Sequence, residues 1–373
     1  MSKQNPVKQH ANMRIHLILL GIVILALAVF GGVANYMHHA GQQHAPLISL
    51  QQQAENNAHN LVAQQLKAAG FSGNVLVVRH GRTFVNVSRG LANARTKHSN
   101  TARSAYEIDS VQKSLTAALV MQEVERGRLR LSDRLARFYP QVPGSRDITI
   151  RELLDMTSGL SCKRFIPRAG ASDSQIVAAY CQQVHYHASH RGTWDYQPVN
   201  YNLLSGILER VSGMPYAQLL QKRLLTPLHL ADTHLAYVPG QRDATGYGKK
   251  NDVPNYQGSY HTSAAMQHAE LGTGQLFTTT SDLYRVEAAI VSGRLLGQRG
   301  SSLLHRPGSV SSYGGGLYNN ARYLYANGFG YGFSAFVRIS HDGKNAVIML
   351  ANADDSHYQF KKLADQLAER YVR

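Results

Sequence analysis

The stretch "YEIDSVQKSLTAALVMQEVERG", Tyr106 to Gly127, sets a serine and a lysine three residues apart and continues as a mostly apolar run without proline. That spacing puts Ser110 and Lys113 on one face of a helical turn, while Leu115, Ala118 and Leu119 fall where the helix buries itself. A serine at a helix start also offers its own amide and the positive end of the helix dipole, half of a site for an oxyanion. An ordinary capped helix has the same features, and Ser-x-x-Lys is short enough to arise by chance. It occurs once in the chain, and neither Gly-x-Ser-x-Gly nor His-Glu-x-x-His competes with it.

On the N-terminal side, a helix predicted to run through about residue 68 carries Leu61, Val62 and Leu66 on one face. It is followed by "NVLVVRHGRTFVNVSRG", two β-branched runs broken at His80-Gly81, which reads as a hairpin. The C-terminal end mirrors this. "GFSAFVRIS" and "AVIMLAN" flank "HDGK", and Phe360, Leu363, Leu367 and Tyr371 mark one face of a closing helix. The pattern predicts an α+β fold, with one antiparallel sheet built from both chain ends and flanked by helices. Residues 110 to about 300 form a mostly helical lobe against it. No internal repeat is visible.

With 373 residues, 43% of them apolar, the chain can bury a full core. Its formal charge of +16 attracts polyanions. No basic stripe with interleaved aromatics is present, so nucleic acid is not the expected partner. Leu17 to Ala34, "LILLGIVILALAVFGGVA", is an uninterrupted apolar and small-residue run preceded by Lys3, Lys8 and Arg14. It reads as a transmembrane anchor with residues 1–16 cytoplasmic. A cleaved signal peptide is the rival reading, since Ala26-Leu27-Ala28 resembles a cleavage site but lies inside the run. Residues 35–50 then form a polar tether, in which His38, His39 and His44 read as solvated, and residues 51–373 are the exported domain. Cys162 and Cys181 are the two cysteines. In an oxidising exterior a bridge between them would close a loop of about 20 residues, and two buried free thiols are the alternative.

Five segments in order carry a resemblance. They are the quoted stretch continued to "YPQV", then "ITIRELLDMTSGL", "WDYQPVNYNLLSGILERVSG", "GTGQLFTTTSDLYR" and "ANGFGYGFSAF". Together they resemble the serine β-lactamase and penicillin-binding-protein superfamily, and within it the class C-type branch of D,D-peptidases, esterases and amide hydrolases. The resemblance implies a serine hydrolase in which Ser110 is the acylated nucleophile and Lys113 takes or relays its proton. Tyr196 then stands as the second-motif tyrosine. It also implies that the amides of Ser110 and Phe329 form the oxyanion hole, that Asn327 and Gly328 of the third motif border the substrate, and that "TSGL" at Thr157 to Leu160 supports the site from behind. No metal or organic cofactor is required.

Two positions depart from the family pattern. Pro198 stands where the second motif has an asparagine that bonds the substrate's acyl-side amide, and Asn200 is out of register with it. Ala326 stands where the third motif has a cation or a hydrogen-bond donor. Both losses weaken peptide and β-lactam substrates, which bring an amide and a carboxylate, and favour esters. With the basic charge and the anchor, the resemblance points to an extracellular membrane-bound esterase of anionic wall polymers, removing D-alanyl esters from teichoic or lipoteichoic acid. A D,D-carboxypeptidase or weak β-lactamase acting on peptidoglycan stems, and a degenerate wall-binding protein, are the alternatives. Glu270 is a candidate for recognising a substrate ammonium.

Overall fold

The structure is a computed structural model that describes residues 6–306, 311–355 and 357–372. Within its first helix, the side chains of 25–37 and from 49 onward are described. The chain divides into two compact units, Met1–Ala58 and His59–Arg373.

The first unit belongs to the helix α1 (Pro6–Ala68). The expected membrane span begins at residues 17–24, whose side chains lie outside the described residues, as do those of His38, His39 and His44. Among the described residues no helix is long and apolar enough to cross a membrane. The described part of the apolar run, including Leu25, Leu27, Val29, Phe30 and Val33, is exposed. The stretch expected as a tether is helical in its backbone, as part of α1.

In the second unit the two chain ends meet in one antiparallel sheet, as the sequence predicts. β1 (Gly73–Arg79) and β2 (Arg82–Arg89) form the first hairpin, turning at His80 and Gly81. Both turn residues have positive φ, 52° and 75°, the conformation of the two-residue turn whose twist matches that of the strands. The C-terminal part contributes β3 (Tyr313–Gly314), β4 (Leu317–Asn319), β5 (Leu324–Gly330), β6 (Phe333–Ile339) and β7 (Ala346–Ala351). Their order is β3-β4-β5-β6-β7-β1-β2, so the last strand of the chain lies beside the first.

Strand alternation divides the sheet's two faces. Leu76, Val337, Ile348 and Leu350 join the core of the helical lobe. On the other face Phe71 meets Phe360 of α7 (Gln359–Tyr371), which buries Phe360, Leu363, Leu367 and Tyr371, the predicted stripe. β6 and β7 are buried along their whole length, because helices cover both faces.

The lobe is built on α2 (Gln112–Glu125), whose residues from Gln112 to Glu123 are all buried. Around it lie α3 (Ile150–Leu154), α4 (Asp173–Gln183), α5 (Val199–Ser212) and α6 (Thr280–Val291). The lobe is less purely helical than predicted. Tyr106–Glu107, Leu276–Thr278 and His234–Leu235 form a small sheet of their own, and this sheet ties the segment before Ser110 to the segment after Gly274.

Candidate active site

Ser110 lies in a tight turn, Asp109–Val111, immediately ahead of α2. The preceding residue, Asp109, takes a left-handed backbone at φ 45°, which swings the serine out of the helical run. Lys113 follows one turn later and is buried, and its Nζ donates to Ser110 Oγ at 3.0 Å and to the Thr273 carbonyl at 3.2 Å. The pair suggested by spacing is therefore a hydrogen-bonded pair. Thr273, which sequence reading missed, fixes the amine from the far side of the cleft.

Tyr196 precedes α5 and comes to the same place. The Lys113 Nζ lies 5.1 Å from the centroid of its ring. The ring is held edge-on to Tyr313 at 5.9 Å and beside Trp194 at 6.4 Å. Among the described residues, no hydrogen bond joins the Tyr196 hydroxyl to Ser110 or Lys113; the contact runs through the ring face.

The third element is β5. Along one edge it pairs with β6 from end to end, but on the other it pairs with β4 only at Leu324 and Tyr325, so the edge at 326–330 is free of the sheet. That free edge lies against Ser110. A Cβ at Gly328 would run into the Ile108 carbonyl and approach the Ser110 amide to 3.2 Å, so only glycine lets the strand come so close. Phe329 is thereby set next to the nucleophile. Asn327 borders a cavity beside Ser110, and its side-chain carbonyl also accepts from the buried Arg338 at 2.9 Å. Strand alternation sends the Asn327 side chain to the face opposite that of Ala326 and Gly328, where it meets Arg338.

Ser110 borders two cavities, each of about 210 Å³. The first is neutral and aromatic, lined by Tyr196, Tyr313, Tyr318, Ala326 and Phe329. The second is charged, lined by Asp109, Arg164, Pro198, Asn202 and Glu270. Arg164 donates to both Glu270 and the Tyr331 hydroxyl. Burial, reinforced by the charge of Glu270, pushes the Asp109 carboxyl well above the usual carboxylate range. Burial and the neighbouring Asp109 do the same for Glu107.

Both altered motif positions sit in these walls. Pro198 caps α5 and borders the charged cavity. Asn200 is turned away from it, accepting from Ser158 at 2.5 Å and donating to the Gln197 carbonyl at 2.9 Å. "TSGL" thus supports the second motif from behind, as expected, and Asn200 does not replace the missing amide. Asn202, which the sequence reading passed over, borders the charged cavity and donates to the Leu271 carbonyl at 2.9 Å.

The bridge considered for Cys162 and Cys181 is not formed, and both are free thiols. Tyr180 lines the charged cavity with Cys162, whereas Cys181, the next residue along α4, faces Tyr139 and Arg210. One step along a helix rotates the side chain by roughly 100°, and that rotation carries the second sulfur away from the first. Burial pushes the Cys181 thiol up to about 11.

A model of the Beta-lactamase family matches residues 58–371, the span that holds Ser110, the aromatic wall and the β5 edge. The chain belongs to the Beta-lactamase family. As a member of that family it is a serine hydrolase. It is 28% identical over 300 residues to "Putative penicillin-binding protein PbpX" of Bacillus subtilis, covering 79% of this chain and 74% of that one. Its fold is that of FmtA from Staphylococcus aureus, with a TM-score of 0.72 at 21% identity over 82% of this chain and 87% of that one. The D-amino acid amidase from Ochrobactrum anthropi shares it too, with a TM-score of 0.69 at 21% identity, covering 84% and 96% of the two chains.

Proposed function

We propose that the chain is an esterase that works through an acyl-enzyme at Ser110 and removes D-alanyl esters from teichoic or lipoteichoic acid outside the cell. The observation that carries this reading is the uncharged, largely aromatic wall beside Ser110, where Ala326 is buried and Tyr196, Tyr313, Tyr318, Asn327 and Phe329 share the lining. Among the described residues that wall holds no cationic side chain, and a carboxylate without a countercharge is costly to bury there. Peptide stems and penicillins bring such a carboxylate, while an alcohol leaving group does not.

In this reading Ser110 Oγ attacks the ester carbonyl while its proton passes to the Lys113 and Tyr196 pair. The carbonyl oxygen becomes an oxyanion between the amides of Ser110 and Phe329. Collapse expels the alkoxide, which takes up that proton and leaves as the free alcohol. Water then attacks the acyl-serine with the same pair accepting its proton, and the acid departs as Ser110 is restored. Without Lys3, Lys8 and Arg14 the chain keeps 36 basic against 23 acidic residues, and this net charge of +13 favours encounter with a polyanionic polymer. The exposed apolar run around Phe30 supports an N-terminal membrane anchor.

The deciding experiment incubates the full-length chain with D-alanylated lipoteichoic acid and measures free D-alanine. Release above a Ser110→Ala control is expected, and its absence overturns the reading. A second reading, a D,D-carboxypeptidase, draws on the similarity to "Putative penicillin-binding protein PbpX". Labelling of Ser110 by a fluorescent penicillin, with cleavage of a D-Ala-D-Ala peptide, would favour it. Absence of any acyl adduct with an activated ester would instead indicate a wall-binding protein.

A further inference from the structure

We infer that the charged cavity beside Ser110 is a subsite for the α-ammonium of a short amino-acyl group, built on Glu270, Asp109 and Tyr331, and that Arg164 fills it as the chain's own cation. This rests on the esterase reading above and adds which part of the ester is recognised, and by what.

The two cavities divide the substrate. Tyr196 lines only the neutral one, so the departing alcohol, which must be protonated, belongs there. The acyl part then enters the charged cavity.

The groups around the Arg164 guanidinium suit a cation. Glu270 is held in place: its Oε2 accepts from Thr273 Oγ1 at 3.0 Å, and its backbone carbonyl accepts from the amides of Thr273 at 2.8 Å and Gly274 at 3.1 Å. The Tyr331 hydroxyl bonds the same guanidinium as Glu270, and the ring lies under it at 4.9 Å. A carboxylate, a phenol oxygen and an aromatic face are what an alkylammonium needs. Tyr331 reaches this point because the two-residue turn between β5 and β6, Tyr331-Gly332, has φ of 49° and 79°.

Asp109 is an independent sign. Asp109 is buried and lines the cavity, and its Oδ2 has no hydrogen-bond partner among the described residues. It fits only because residue 330 is glycine, since a Cβ there would strike its Oδ1. A buried carboxyl oxygen left without a donor is a cost that an arriving N–H group removes.

Arg164 behaves as a replaceable occupant. Its side chain is 57% exposed against 21% for Glu270, so the guanidinium can withdraw into water while the carboxylate stays. The subsite also lies close to the reacting serine. Thr273 bonds Glu270 through its hydroxyl and Lys113 through its carbonyl. That short link, in a cavity of about 210 Å³, fits an ammonium one carbon from the ester carbonyl.

The test uses the full-length chain and the phenyl esters of D-alanine and of isobutyric acid, in which a methyl replaces the ammonium. The readout is the ratio of kcat/KM for the two esters, which cancels their intrinsic reactivities when variants are compared. Glu270→Gln is expected to lower the ratio at least tenfold. Arg164→Gln is expected to raise it severalfold, because the carboxylate loses its competing partner. Should Glu270→Gln fail to fold, the Arg164→Gln ratio decides. A ratio within twofold of the parent in the folded variants, with both esters turned over, overturns the subsite and leaves the esterase reading intact. If neither ester is hydrolysed above Ser110→Ala, the esterase reading fails and the subsite with it.

Discussion

A serine hydroxyl is a weak nucleophile, and in the proposed mechanism one buried amine changes that. Lys113 donates to the Ser110 hydroxyl and the Thr273 carbonyl, and among the described residues no carboxylate bonds it directly. Replacing it by methionine keeps the buried volume while removing the group placed to take the proton. Lys113→Met is therefore expected to slow acylation by an activated ester roughly 10²- to 10⁴-fold, with the thermal midpoint little changed. Stopped-flow release of the leaving group measures the first and a melting curve the second. Acylation at the parent rate would remove Lys113 from the mechanism.

Among the elements, β5 and the turn before α2 make the site by touching. Gly328 is the point of contact, and the Ile108 carbonyl leaves no room for a methyl group. Gly328→Ala must push the strand off the turn and widen the gap between the Ser110 and Phe329 amides. The expected result is a loss of kcat of about 10²-fold or more, the scale of one lost oxyanion donor, with a stability cost of about 1–3 kcal/mol for the overpacked contact. Substrate turnover and urea unfolding separate the two effects. Behind α2 a second contact involves α6, where Ser114 Oγ donates to the fully buried Glu287 carboxyl. Burial pushes the Glu287 carboxyl up to about 8.

The molecule as a whole inherits a pH dependence from these buried acids. Below about pH 4.5, folded and unfolded chains both hold the Glu287 proton. Above that the unfolded chain releases it while the folded chain keeps it, so stability falls as pH rises, until the folded group also ionises near 8. Glu107 and Asp109 are shifted in the same direction and add to the trend. The urea midpoint is expected to be lower at pH 8 than at pH 5.5, and Glu287→Gln to reduce that difference. An equal or higher midpoint at pH 8 would contradict the burial of these carboxyls in their neutral form.

Periodicity and turn chemistry alone determined the two hairpins, the closing helix and their union in one sheet. Each of these follows from a local rule: alternation of two in strands, 3.6 in helices, and positive φ at His80 and Gly81. The ordered motifs singled out Ser110, Lys113 and Tyr196, and the fold brings these three together. Other features were decided only by the tertiary structure. It turned Asn327 toward Arg338, set Cys181 on a different face from Cys162, and sent Asn200 behind the site. It also brought Glu270, Arg164 and Tyr331 together with Asp109 from separate parts of the chain. The physical reason is that a side chain's direction and its distant neighbours depend on how whole elements dock, and no short-range pattern in the sequence encodes that docking.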